Sequence, residues 1–471
     1  MRFAVQVQPP RDLRRCSPGA VRRAAGRRDD EIDPAGRGRS VQSMELEIDP
    51  LDGMADRPPV VRVRAASHVG VKLELRITDA AGHAWTSLNT YGADVSGLVD
   101  LGTHEPLTGT YQGIDPAGPW WSMRFAAPGR APVDFSAAPD SLTCRVTAQA
   151  GAETAVATVV RRWAAAGVER QDHDVPGSTI SVFTPAGSGR GPGVLIVPGF
   201  TGGAAMLPRA ALLASRGYVA VVVDYLSDER TQPGFTEVPI ETITDALGWL
   251  AAHPRVDADR IGVFASSAGC VGALAALAYL DHHPIRAIAL VSPSSVVWQA
   301  AAAGGPPART SSWTHRGRPL PWVRVRAGRL LPELLGQAVR HRVARHPRPT
   351  ALHLRSSYAA GLRNLAEVDR ATIPVERIDA PLLLLCGEDD QLWPADQMAR
   401  AMVARRGVHG IAHQDETRTF PDAGHFLRPP LVPTTAAWSE TLMAGGSAEG
   451  IALAQQESWD ATLSFLARRL A

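Results

Sequence analysis

The sequence predicts an all-β sandwich followed by a doubly wound, mostly parallel α/β sheet, and three observations carry that prediction. Short alternating strands separated by Gly, Pro and Asp turns occupy residues 44 to about 165. From about residue 175, continuous apolar runs alternate with segments of helix length. A serine, an acid and a histidine then follow three of the buried strands in that order, where open α/β sheets hold their ligands. With 471 residues the chain exceeds one ordinary domain, and two or three are expected.

Composition sets the outer limits. The chain is 45% hydrophobic and 20% charged, as in globular proteins with a sizeable core. A formal charge of +2 supplies no global field for nucleic acid or a membrane surface. Lys72 is the only lysine among many arginines, which together with abundant Ala and Gly reads as codon composition. Cys16, Cys144, Cys270 and Cys386 form no CxxC and no paired spacing, so reduced thiols in a cytoplasmic protein are expected. No apolar stretch reaches the length of a membrane span.

Residues 1–43 are rich in arginine and poor in large apolar side chains, and they are expected to be a disordered extension. Arg14-Arg15 lacks the apolar region of an export signal, so secretion is not expected. Met44 opens a more ordinary stretch and is a second candidate start of translation.

In the first domain, 44–165, residues 60–64 and 71–77 alternate apolar with polar, the period of half-buried strands. Residues 78–82 form a turn, and further strands are predicted over 121–125 and 142–146. In the second, 175–471, strands are predicted at 193–198, 218–224, 260–265, 287–291 and 382–386. Helices are predicted near 204–216, 238–253 and 268–281. The arginine-dense segment of about 295–372 breaks this rhythm and is expected to be a cap-like insertion above the carboxyl edge of the sheet.

The strongest local signal is Ile261-Gly262-Val263-Phe264-Ala265-Ser266-Ser267-Ala268-Gly269, an apolar strand running through a serine into a small-residue helix. A nucleophile on a sharp strand-to-helix turn needs small neighbours two places away. Ser267 has Ala265 and Gly269 there, whereas Ser266 would have the bulky Phe264. Ser267 is therefore the predicted nucleophile, with Ala265 in place of the glycine of strict GxSxG.

A serine hydroxyl needs a base, and the base needs an orienting acid. Gly387-Glu388-Asp389-Asp390 follows a buried strand and offers Asp390, with Asp389 as the fallback. His425, thirty-five residues beyond Asp390, follows a short strand in Gly424-His425-Phe426. The order Ser267, Asp390, His425 is that of a serine hydrolase of the α/β-hydrolase type. The developing oxyanion needs two N–H donors, expected from Ala268 and from Phe200 in the glycine-rich loop Pro198–Gly203. That loop lacks the GK[ST] of a phosphate-binding loop, and the chemistry requires no cofactor and no metal.

From about residue 46 to 465 the chain resembles the acyl-CoA thioesterase and bile-acid-CoA:amino-acid N-acyltransferase family. Gly109-Thr110-Tyr111-Gln112-Gly113 through Trp120-Trp121-Ser122-Met123 is similar to that family's first domain. Arg316-Gly317-Arg318-Pro319-Leu320-Pro321, Ile373–Ile378, Gly387–Trp393 and Gly424–Pro430 resemble segments of its second. The resemblance implies an immunoglobulin-like domain fused to an α/β-hydrolase, and an acyl-CoA substrate. It also implies that Ser267 attacks a thioester while Asp390 holds His425. Serine in the nucleophile position, where conjugating members tend to carry cysteine, tilts the reading toward hydrolysis. A carboxylesterase, a dienelactone-hydrolase-like enzyme, an N-acyltransferase and a non-catalytic binding protein are the competing readings. The arginines of the insertion fit either CoA phosphates or a solvated face.

Overall fold

The structure is a computed structural model and describes residues 44–127, 134–226, 234–279, 285–302, 308–344, 351–436 and 442–471. The expectation for residues 1–43 lies outside the described residues.

The first part is β-rich. A six-stranded sheet runs in the order Asp52–Met54, Glu153–Arg162, Ser141–Ala150, Gly70–Thr78, Ala84–Gly92 and Arg124–Phe125. A three-stranded sheet of Glu45–Asp49, Val60–Arg64 and Leu98–Asp100 shares its core. Alternation does the work foreseen for it. Val71, Leu73, Leu75 and Ile77 are buried while Lys72 and Arg76 face out, so each long strand commits one face to the core. The strand predicted over 121–125 is corrected. Gly118–Trp121 is a helical turn and only Arg124–Phe125 pairs, with Trp85 and Thr86. Pro119 suits a first helical turn, and the turn lets Trp120 and Trp121 both bury, the latter donating its indole N–H to Asp115 at 2.7 Å.

The second part is an eight-stranded sheet. Its order is Glu169–Val175, Ser178–Thr184, Val219–Asp224, Gly191–Val197, Val256–Ser266, Ile285–Val291, Leu382–Gly387 and Glu416–Phe420. The first three of these pair antiparallel and the rest parallel. The sheet thus begins at Glu169, ahead of the boundary expected at 175, because the polar strand Glu169–Val175 forms a solvated edge that apolar content does not reveal. Leu382–Gly387 is buried at every residue, as helices on both faces require. Those helices include Leu207–Ala214, Glu241–Ala252, Ala268–Tyr279, Ala395–Val408 and Ala448–Arg469. The last is capped by Ser447, whose hydroxyl accepts the Gly450 N–H at 3.0 Å, and it buries Trp459 and Phe465.

The insertion carries the helices Leu331–Ala344, Arg355–Gly361 and Leu365–Ala371 and buries Trp298, Trp313 and Val323 against the sheet's helices. The two parts meet through buried polar anchors. Asp56 accepts the Trp459 indole N–H at 2.7 Å and pairs with Arg216, and the Thr434 N–H donates to the Trp121 carbonyl at 3.0 Å. No helix among the described residues is long and apolar enough to cross a membrane.

Candidate active site

The strand Val256–Ser266 turns into the helix Ala268–Tyr279 through Ser267, whose φ is +54°. That conformation costs on the order of 1–3 kcal/mol for a residue other than glycine. The surroundings hold it in place. The Ser267 N–H donates to the Val291 carbonyl at 2.8 Å, and the Ser267 carbonyl accepts the Cys270 N–H at 2.9 Å. The small neighbours inferred from the sequence have a spatial reason. A Cβ on Gly269 would lie 2.3 Å from the Pro198 carbonyl oxygen, and one on Gly199 would lie 3.0 Å from the Ser267 Cβ. Phe264 lies on the face that packs against Arg209, away from the turn.

His425 stands with Nε2 2.7 Å from Ser267 Oγ and Nδ1 2.8 Å from Asp390 Oδ2. All three side chains are nearly sealed from solvent, Asp390 completely. An ionised carboxylate only accepts hydrogen bonds, so Nδ1 carries the proton and Nε2 faces the serine as an acceptor. Asp390 Oδ1 is held by the N–H groups of Leu392 at 2.9 Å and Trp393 at 3.1 Å. Asp389 turns elsewhere, accepting the Gly446 N–H at 2.7 Å. Of the two acids offered by the sequence, Asp390 is the one that meets the histidine.

Four supporting residues escaped the sequence reading. Ser292 follows the strand Ile285–Val291, and its hydroxyl donates to the His425 carbonyl at 2.6 Å. Trp393 sets its ring edge-on to His425, centroids 5.3 Å apart. Arg355, from the insertion, donates to the Asp390 carbonyl at 2.8 Å and pairs with Asp396 at 3.0 Å. The insertion therefore braces the acid turn. Arg209 is only 3% exposed and donates to the Leu427 carbonyl at 2.8 Å, beneath the histidine loop. Its guanidinium stacks 4.3 Å from the Phe264 ring, and its Nε has no partner among the described residues. Burial pulls that guanidinium down to about 9. A lone arginine inside the apolar helix Leu207–Ala214 was the available signal.

Ser267 and His425 open into a cavity of about 400 Å³ whose far wall comes from the β-rich part, through Phe135, Ala137 and Trp163. Phe200 lines the same cavity, its ring 4.7 Å from that of Phe235. Among the described residues, neither the Phe200 nor the Ala268 N–H has a backbone acceptor. Cys270 is fully buried, its thiol pushed well up by desolvation, with Sγ 3.4 Å from the Val291 carbonyl oxygen. No group of three or more His, Cys, Asp or Glu among the described residues stands where it could hold a metal ion.

Comparison with known proteins supplies a family. A model described as the acyl-CoA thioester hydrolase/BAAT N-terminal region matches residues 57–174. A second, described as BAAT/acyl-CoA thioester hydrolase C terminal, matches residues 327–471. Acyl-coenzyme A thioesterase 1 of Rattus norvegicus is 26% identical over 449 residues, covering 93% of this chain and 96% of that protein. Its Homo sapiens namesake is 24% identical over 437 residues, covering 88% and 94%. The peroxisomal succinyl-coenzyme A thioesterase of Mus musculus is 23% identical over 426 residues, again covering 88% and 94%. Among solved structures, a puromycin-hydrolyzing peptidase of Mycobacterium tuberculosis is 16% identical with a TM-score of 0.41, covering 84% of this chain and 53% of that one.

Proposed function

Since the chain belongs to the acyl-CoA thioester hydrolase/BAAT family, we propose that it hydrolyses an acyl-CoA to the free acid and CoA through a Ser267 acyl-enzyme. The observation that carries this reading is the unbroken line Ser267 Oγ–His425 Nε2–His425 Nδ1–Asp390 Oδ2, at 2.7 and 2.8 Å.

In the first half-reaction Ser267 Oγ attacks the thioester carbonyl carbon as its proton passes to His425 Nε2. Asp390 keeps the imidazole in its tautomer and stabilises the imidazolium. The tetrahedral oxyanion is received by the N–H groups of Phe200 and Ala268. The C–S bond then breaks, and the CoA sulfur leaves with the proton from His425. In the second half-reaction His425 deprotonates a water that attacks the acyl carbon, and Ser267 recovers its proton. Serine in place of cysteine favours water over an amine as the acceptor.

The test is thiol release from acetyl-, octanoyl- and palmitoyl-CoA by wild type and Ser267→Ala. Turnover that falls by about 10⁴-fold or more in the variant supports the reading. Labelling of the wild type by a fluorophosphonate without hydrolysis of any thioester would move the substrate to esters or amides. Product capture by added glycine or taurine would move the reaction to N-acyl transfer.

A further inference from the structure

A second cavity, of about 310 Å³, lies beside the catalytic one, on the other side of the histidine loop. Val432, Leu442, Met443 and Ile451 give it an apolar lining. The two cavities share Asp134, Phe426, Arg428 and Val432 as lining residues, so these side chains form the wall between them. Asp134 and Arg428 close that wall with a two-pronged ion pair, Nη1 to Oδ1 at 2.7 Å and Nη2 to Oδ2 at 2.8 Å. Arg428 sits three residues beyond His425, and Asp134 comes from the β-rich part, so the wall is also a joint between the two parts.

We propose that the second cavity is a distal subsite for the far methylenes of a long acyl chain, shut off from Ser267 by the Asp134–Arg428 pair. The inference rests on the acyl-enzyme reading above. An alkyl chain is the occupant that suits an apolar lining. The charged nucleotide of CoA is poorly matched to such a lining. A pair with side chains 31% and 42% exposed is a weak barrier. Each methylene that gains the second cavity strengthens binding by about fourfold. The barrier therefore sets which chains are preferred, while a chain long enough to use the subsite can displace it.

The experiment compares wild type, Arg428→Ala and Asp134→Asn by the ratio of kcat/KM for palmitoyl-CoA to that for octanoyl-CoA. The same ratio is measured for acylation of Ser267 by hexadecyl and by ethyl fluorophosphonates. Opening the wall is expected to raise both ratios by about tenfold, the gain from fewer than two further buried methylenes. Met443→Trp in the Arg428→Ala background, which refills the subsite, is expected to reverse the rise. Ratios that stay within about twofold of wild type in both single variants, with a lowered thermal midpoint, overturn the proposal and leave the pair as an interdomain clamp. If no thioester is turned over but the fluorophosphonate ratio still rises, the subsite stands and the thioesterase reading falls.

Discussion

The two walls of the catalytic cavity differ in what holds them. On the hydrolase side, Ser267, Asp390 and His425 hang from a parallel sheet by buried backbone bonds: Ser267 to Val291, Asp390 to Leu392 and Trp393, His425 to Ala444 and Ser292. On the facing side, Phe135, Ala137 and Trp163 are held against the site from another sheet system, through Asp134–Arg428, Asp56–Arg216 and Asp56–Trp459. The first wall is set by local chain geometry and admits little adjustment. The second is joined to the first by these polar links and by an apolar core that runs on through both parts, with Phe135 and Trp163 in the same cluster as Met206, Phe264 and Trp459, and none of these joints touches the reacting atoms. Changes on the first wall should lower every rate together, and changes on the second should redistribute rates among substrates.

The hardest test of that contrast is Asp390→Asn. With the imidazole left in the wrong tautomer, kcat should fall by about 10⁴-fold. Equal losses on acetyl-, octanoyl- and palmitoyl-CoA are expected, and a loss that depends on chain length would break the comparison. Asp56→Ala attacks the joint instead. It strands Arg216 and the Trp459 indole in a buried interface, and should cost about 3 kcal/mol in urea unfolding. The chain-length profile should shift more than the labelling of Ser267 by a small fluorophosphonate. Arg209→Met keeps the volume under the histidine loop and removes the bond to Leu427. A displaced His425 should cost about 10- to 100-fold in kcat with little change in KM, read from steady-state kinetics; an unchanged kcat would make Arg209 a packing residue only.

The smallest effect lies away from both walls. Arg405 hydrogen-bonds and pairs with Glu376, holding its carboxyl down at about 2 from an ordinary 4.5. A depressed carboxylate stabilises the fold above its unfolded value, and the gain is lost as pH falls from about 4.5 toward 2. Partial exposure keeps it under about 1 kcal/mol. Thermal midpoints of Glu376→Gln and wild type should differ at pH 6 and converge near pH 2, with activity at neutral pH the same.

Much of this was legible because it is written in short stretches. Gly193–Val197, Val219–Val223 and Leu382–Cys386 have apolar content that only a sheet covered on both faces can use. The nucleophile turn was readable from Ala265 and Gly269 because its crowding falls on residues adjacent in sequence. The choice between Asp389 and Asp390 needed the backbone N–H groups two and three places on, which pick one carboxylate for the histidine side. Arg209, Ser292 and Arg355 act on residues 218, 133 and 35 positions away, and no local pattern marks such partners. The strand predicted over 121–125 began too early, because Trp121 looks like strand until the core it fills from a helical turn is known.

The Cys270 thiol is sealed beneath the turn that carries the nucleophile. A thioesterase releases a free thiol beside its own active site at every turnover, and oxidised CoA is a ready partner for thiol–disulfide exchange. Among the described residues no cysteine lines the catalytic cavity, and Cys270 is shut beneath the turn with its thiol kept protonated. Exchange requires an accessible thiolate. The thiol released by the hydrolysis proposed above would therefore meet no accessible thiolate among the described cysteines, all of which are buried.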